Sequence, residues 1–473
     1  MAISKKELIR EFTEAIQEGE AAIFAGAGLS RDSGFVDWKN LLKPLADEMG
    51  LNIEKENDLT EVAQFYRNER ATRHTINRRI IKSFSKDSRL TENIKILTRL
   101  PIETYWTTNY DKLLEKGFEL NSRKVDVKIT QENLARTMPK REAILYKMHG
   151  DVDFPDSAIL TKDDYESYEE KRPLFRNVLK GELVAKTFLF IGFSFEDPNL
   201  NHILSQIHSL IGENKRDHYC FFKKIIRWEE ETEKEFSYRK ARQDLKIADL
   251  KRYGIQAVLL KDYEEITEIL KKVEENINKR KVFVSGSASE FTEPWNKEKA
   301  EDLAYSLAQN LIKNECVISS GFGIGIGSAV INGALDEIYK SKYKNINDYL
   351  YLRPFPQNIT DSKKRKELFT KYREDIIKDV GVTIFLFGNK EENGEIKIAN
   401  GCLEEFKIAK EKGKIIIPIG STGYAAKQIL DEIKNDMEKY SYLKNYINDL
   451  ETKTKKEEII KIVLKILDEQ NSI

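Results

Sequence analysis

The chain has 473 residues and a mass of 54.9 kDa, about three times the size of a common domain, so two or three domains are expected. Lys plus Arg number 79 and so do Asp plus Glu, which leaves no net charge. That balance excludes a surface built for wholesale phosphate neutralisation, and neither nucleic acid nor a membrane is an expected partner.

The opening run MAISKKELIREFTEAI has no apolar signal-peptide core. Ser4 and Glu7 make a capping-box pattern, and Leu8, Phe12, Ala15 and Ile16 fall on one helical face. The longest apolar run, around TFLFIGF, is too short to span a bilayer. Cys220, Cys316 and Cys402 are too few and too scattered for a four-cysteine zinc site or a disulfide framework. The expected state is reduced and cytoplasmic, with no metal.

Strands are predicted at AAIFAG, IETYW, AILYKM, TFLFIGF, HYCFF and IQAVLL, with charged amphipathic segments between them. This alternation predicts an α/β fold whose parallel sheet is flanked by helices. The first strand runs into Gly26-Ala27-Gly28-Leu29-Ser30, a turn small enough for backbone amides to approach a pyrophosphate. A tight turn without a ligand has the same pattern. The second strand ends in Thr107-Thr108-Asn109-Tyr110-Asp111, where Asn and Asp either hold a carboxamide and a water or cap a helix. The third ends in His149-Gly150, and imidazole suits proton transfer near neutral pH. His74, His202, His208 and His218 read as satisfied polar residues. The fourth ends in GFSFED, with Gly192, Ser194 and Asp197.

GAGLSRDSGF, TTNYD, KMHG and GFSFED, in that order, make residues 10–270 resemble the sirtuin-like NAD-binding domain. The resemblance implies a Rossmann-like sirtuin fold with NAD+ as substrate. It implies NAD+ contacts at Ala25, Gly26, Ala27, Gly28, Ser30, Asn109, Asp111, His149, Gly192 and Ser194, with His149 and Asn109 catalytic. The chain departs from protein-deacylating sirtuins in two ways. It lacks their four zinc-binding cysteines, and Gly34 is followed by Phe35-Val36-Asp37-Trp38 rather than Pro-Asp-Phe-Arg. With no peptide nucleophile, water takes its place and the product is ADP-ribose.

The helical run KDYEEITEILKKVEENINKRK closes the first half, and the domain boundary is placed near 280, giving domains 1–279 and 280–473. Strands follow at KVFVSGS, CVISSG, DYLYLRPF, VTIFLFG and KIIIPIG. Glycines 321, 323, 325 and 327 stand between a strand and a helix, a pattern suited to a phosphate or ribose. Arg373 and Lys390 lie outside the glycine loops, where most such charges are solvated. Gly401 precedes a helix bearing Glu404 and Glu405, which either accept ribose hydroxyls or favour the helix start.

Residues 280–440 resemble SLOG domains, Rossmann-like relatives of the cytokinin-activating LOG enzymes. Most of the Pro-Gly-Gly-x-Gly-Thr hallmark of those enzymes is missing from Ala399-Asn400-Gly401-Cys402-Leu403-Glu404-Glu405, which implies binding without hydrolysis. A sirtuin-like domain followed by SLOG resembles the NAD-consuming effectors of Thoeris anti-phage systems. That resemblance implies a TIR-domain partner that makes a cyclic ADP-ribose isomer, and activation of NAD+ cleavage when SLOG binds it. The implied signal contacts are Ser285, Gly286, Ser287, Ile324, Arg373, Lys390, Gly401 and Glu405. It also implies a homo-oligomer, a tetramer or a higher assembly. Two other readings stay open: an NAD-dependent protein deacylase or ADP-ribosyl transferase, and a nucleotide-sensing scaffold without activity.

Overall fold

All five residues of β1, Ala21–Ala25, are buried, as befits a central parallel strand covered on both faces. The computed structural model describes residues 2–471 apart from 71, 86, 87, 213, 357 and 358. The chain divides into two compact units, Met1–Glu274 and Glu275–Ile473. The division falls within one helix, Glu265–Lys279.

The first unit adds β2 (Thr104–Thr107), β3 (Val125–Lys128), β4 (Ala143–Lys147), β5 (Thr187–Ile191), β6 (His218–Lys223) and β7 (Ile255–Leu260). All seven are parallel, in the order β3-β4-β2-β1-β5-β6-β7. The chain leaves β1 toward β2 on one side and later returns to β5 on the other, which makes β1 the switch point where such sheets open a crevice. Register then aligns the strand ends. Ala25 pairs with Thr107 and with Ile191, and Thr107 pairs with Lys147. Four polar turns therefore begin side by side.

The second unit holds β8 (Lys281–Ser287), β9 (Val317–Ser320), β10 (Leu350–Leu352), β11 (Val382–Phe387), β12 (Asn389–Glu392), β13 (Glu395–Ile398) and β14 (Ile415–Pro418). Its parallel sheet has the order β10-β9-β8-β11-β14, with the switch at β8. Val282, Ile318, Ile384 and Ile416 fill its core, all wholly buried.

Two features escape the sequence reading. β3 has the sequence VDVK, and its buried Asp126 and Lys128 form a 2.9 Å ion pair that conceals a strand behind charges. β12 and β13 form a charged antiparallel hairpin. Its turn, Asn393-Gly394, has positive φ at both residues, as a two-residue hairpin turn requires.

Candidate functional site

In the first unit the polar turns lock into one another. Asn109 Nδ2 donates to the Gly26 carbonyl and to Ser30 Oγ, each at 2.9 Å. Ser30 Oγ donates to Asp111 Oδ2 at 2.7 Å. Asp111 Oδ1 accepts the amide of Leu113, the first residue of the helix Leu113–Leu120, at 3.0 Å. Asn109 Oδ1 is buried and has no hydrogen-bond partner among the described residues. The space enclosed by Leu29, Ser30, Thr107, Asn109, Asp111 and Glu115 is about 10 Å³, room for one water and far below what a dinucleotide needs.

His149 is only 1% exposed, and its Nδ1 has no hydrogen-bond partner among the described residues. Its Nε2 lies 3.1 Å from Asp197 Oδ2. The rings of Tyr165 and Tyr168 stand edge-on to it, with centroids 5.5 and 6.5 Å away. Burial by itself would raise Asp197, but the facing imidazole and the Leu200 amide outweigh it and hold the carboxyl below its usual range. Asp197 thus caps the helix Pro198–Ile211 with one oxygen and faces His149 with the other. Sequence reasoning noticed Asp197 at a strand end but not its pairing with His149. It missed Tyr165 altogether, which sits in a charged helical stretch without an apolar pattern.

The glycines of the first turn serve a different purpose from the expected one. The amides of Gly26 and Gly28 do not face outward to a pyrophosphate. They donate to the carbonyls of Ile191 and Gly192, each at 2.9 Å. A Cβ on Gly192, whose φ is +65°, would lie 2.2 Å from the Leu29 nitrogen. Glycine is needed here so that the turns after β1 and β5 can touch. Gly192 and Ser194 are exposed, whereas Ala25 and Ser30 are buried.

His218 is satisfied, accepting the Phe188 amide at Nδ1 over 3.2 Å. His208 is not: its Nδ1 is buried without a partner among the described residues. Cys220, Cys316 and Cys402 are free, buried thiols, and burial pushes Cys402 up to about 12. No cluster of metal-ligating side chains occurs among the described residues.

The second unit gathers the other group of named residues around the ends of β8, β9 and β11. Ser285 Oγ donates to Glu405 Oε2. Arg373 Nη1 lies 2.7 Å from Glu404 Oε2, and its Nε lies 3.4 Å from Glu405 Oε1. Arg373 is far from the solvated charge that its sequence context suggests. Its side chain is 12% exposed and lies over the Phe355 ring at 5.0 Å. Gly401, in the first turn of the helix Asn400–Glu411, leaves room for it, since a Cβ there would lie 2.7 Å from Arg373 Nη2. Burial raises Glu405, offset in part by Ser285 and Arg373.

The glycine loop after β9 is pinned to β8, because a Cβ on Gly323 would overlap the Gly286 carbonyl oxygen. Ile324 is held by its carbonyl, which accepts the Ala288 amide at 2.8 Å, while its side chain is 70% exposed. Lys390 stands on the β12 hairpin and pairs with Glu392 at 3.2 Å. The organiser that sequence reasoning missed is Asn389. It is wholly buried, and its side chain accepts the amides of Ser289 and Glu290 and donates to the Glu290 carbonyl. Its carbonyl accepts Ser287 Oγ at 2.8 Å.

A family model described as the Sir2- and TIR-associating SLOG family matches residues 265–470, and a SIR2-like domain model matches residues 103–246. The NAD(+) hydrolase ThsA of Bacillus cereus (strain MSX-D12) is 48% identical, with 91% of this chain and 90% of that protein aligned. The NAD(+) hydrolase ThsA of Enterococcus faecium is 41% identical over 100% of this chain and 99% of that protein. A more distant relative, defense-associated sirtuin 2 of Bacillus subtilis, is 29% identical over 43% of this chain and 21% of its own length.

Proposed function

The chain belongs to the ThsA family of NAD(+) hydrolases, and from that premise we propose that its first unit cleaves NAD+ to nicotinamide and ADP-ribose at the β1–β2–β4–β5 strand ends. The observation that carries this site is the pairing of two unsatisfied groups. His149 keeps Nδ1 without a partner among the described residues while Nε2 faces Asp197, and Asn109 keeps Oδ1 without one. They follow β4 and β2, at the strand ends beside the switch point at β1.

In the proposed reaction the bond between ribose C1′ and the nicotinamide ring nitrogen breaks, and its electron pair passes to that nitrogen. Water adds to C1′ and loses a proton. The summed change is NAD+ plus water giving ADP-ribose, nicotinamide and a proton. Asn109 Oδ1 accepts from the nicotinamide carboxamide, and His149 takes a proton from the ribose side. Asp197 stabilises the imidazolium that results, as the buried dipoles around it stabilise the oxocarbenium-like state. The turn at Gly26–Ser30, with Ala25, Gly192 and Ser194, borders the rest of the dinucleotide.

The closeness of the site supports gating. A base that is 1% exposed cannot receive NAD+ until the surrounding turns move apart. We assign the trigger to a cyclic ADP-ribose isomer at Ser285, Gly286, Ser287, Ile324, Arg373, Lys390, Gly401 and Glu405, made by a TIR-domain partner during phage infection. The proposed setting is a cytoplasmic homo-oligomer, and the domain limits are 1–279 and 280–473. The signal acts by binding the active arrangement better than the resting one.

The test is product analysis of the full chain with NAD+ alone and with the cyclic nucleotide. Free nicotinamide and ADP-ribose without an acceptor are expected. ADP-ribose transferred to protein would instead support a transferase, and no turnover under any ligand would support a scaffold.

A further inference from the structure

Asn109 and His149 come from different turns, so their relative placement depends on what ties the end of β2 to the end of β4. The pairing of Thr107 with Lys147 brings the two ends level. Beyond it, the Val152 amide donates to the Tyr110 carbonyl at 3.0 Å. A further tie is Lys147, a wholly buried lysine. Its Nζ lies 3.3 Å from the Tyr110 carbonyl oxygen and also donates to the Asp111 carbonyl, the two residues directly after Asn109. It pairs with Glu115 Oε1 at 3.0 Å and with Asp151, which is itself 0% exposed. Asp151 takes a second cation, Lys112, at 2.8 Å, and its Oδ1 accepts the Asp153 amide at 2.9 Å. Lys147 and Asp151 stand two residues before and two residues after His149.

A buried ammonium is an expensive way to fill a core, and apolar residues of similar volume often serve stability as well or better. The four partners give it another use. We propose that Lys147 is a positioning residue for NAD+ cleavage: its ammonium clamps the turn bearing Asn109 to the turn bearing His149. The proposal rests on the NAD+ hydrolase reading above. The clamp acts through backbone carbonyls and Asp151, so it sets geometry without touching NAD+.

The test is steady-state NAD+ cleavage by the full chain carrying Lys147→Met, and by a second variant that adds Glu115→Gln. In the second variant no buried carboxylate loses its only cation, because Asp151 keeps Lys112. In both, kcat is expected to fall about 10²-fold while KM stays within about twofold, since a misplacement of about 1 Å suffices for such a loss. The thermal midpoint of the second variant should stay near that of the wild type, whereas Lys147→Met alone lowers it by stranding Glu115, and Lys147→Arg should recover part of kcat. A folded variant with wild-type kcat overturns the proposal. Loss of folded protein in both variants also overturns it, by assigning Lys147 to the fold alone. A wild-type chain that releases no nicotinamide under any condition overturns the activity and this role together, whereas an active wild type matched by its variants overturns the role alone.

Discussion

At the strand ends of the first unit a buried imidazole faces Asp197 with one ring nitrogen and keeps the other without a partner among the described residues, and a neighbouring Asn keeps an unpartnered oxygen. At the strand ends of the second unit Ser285 is bonded to Glu405, Arg373 lies against Glu404 and Glu405, and Asn389 uses its side chain in both directions. Both sites occupy the switch point of a parallel sheet and both rely on glycine for close backbone contact. They differ in what is left unsatisfied. Buried polar groups are normally hydrogen-bonded, so those that are not point to a bound group or a reaction. Under the proposed function the first site carries the chemistry. The second is a self-neutralised network, which the proposed ligand would have to reorganise.

The largest expected effect breaks that comparison at its first half. His149→Ala and Asn109→Ala should each lower NAD+ cleavage by about 10²–10⁴-fold while circular dichroism stays unchanged. Nicotinamide release measures it, and near-wild-type turnover by a folded His149→Ala protein would remove the residue from the mechanism.

Arg373→Ala probes the second half. It should shift activation to cyclic-nucleotide concentrations about tenfold higher or more, as loss of a charge-assisted contact does. Cleavage at saturating signal should be kept. Superimposable activation curves for mutant and wild type would take Arg373 out of the site.

Gly192→Ala and Gly323→Ala sharpen the shared feature. Each new Cβ meets backbone, the Leu29 nitrogen in one case and the Gly286 carbonyl in the other. Each should destabilise its own unit by about 1–3 kcal/mol, seen as a lowered thermal midpoint. An alanine tolerated at either position would mean that the turns need not touch.

The smallest effect concerns a buried histidine outside both sites. Burial pushes His218 down to about 3 from its usual 6.5. The folded state therefore holds it neutral, and the unfolded chain binds the extra proton below pH about 6.5. Stability should fall as pH drops from 6.5 toward 3, by at most about 1.4 kcal/mol per unit from this residue. Urea midpoints at pH 7 and 5.5 read it, and His218→Gln should flatten the slope. Equal slopes would assign the acid sensitivity elsewhere.

The α/β class, the strand ends at Gly26, Asn109, His149 and Gly192, and the glycine run before the helix Gly327–Lys340 were legible in the sequence. Each is written in a contiguous segment, as an apolar run that stops at small or polar residues. β3 and the β12 hairpin were not, because buried or exposed charges interrupt the alternation that marks a strand. Nor could local pattern assign partners. That the Gly28 amide bonds to Gly192, that Asp197 faces His149, that Lys147 bridges two turns and that Arg373 sits between glutamates all follow from sheet order and register, which bring together residues tens to hundreds of positions apart. A charged residue reads the same in sequence whether solvent or a partner neutralises it, and only the packed structure decides which.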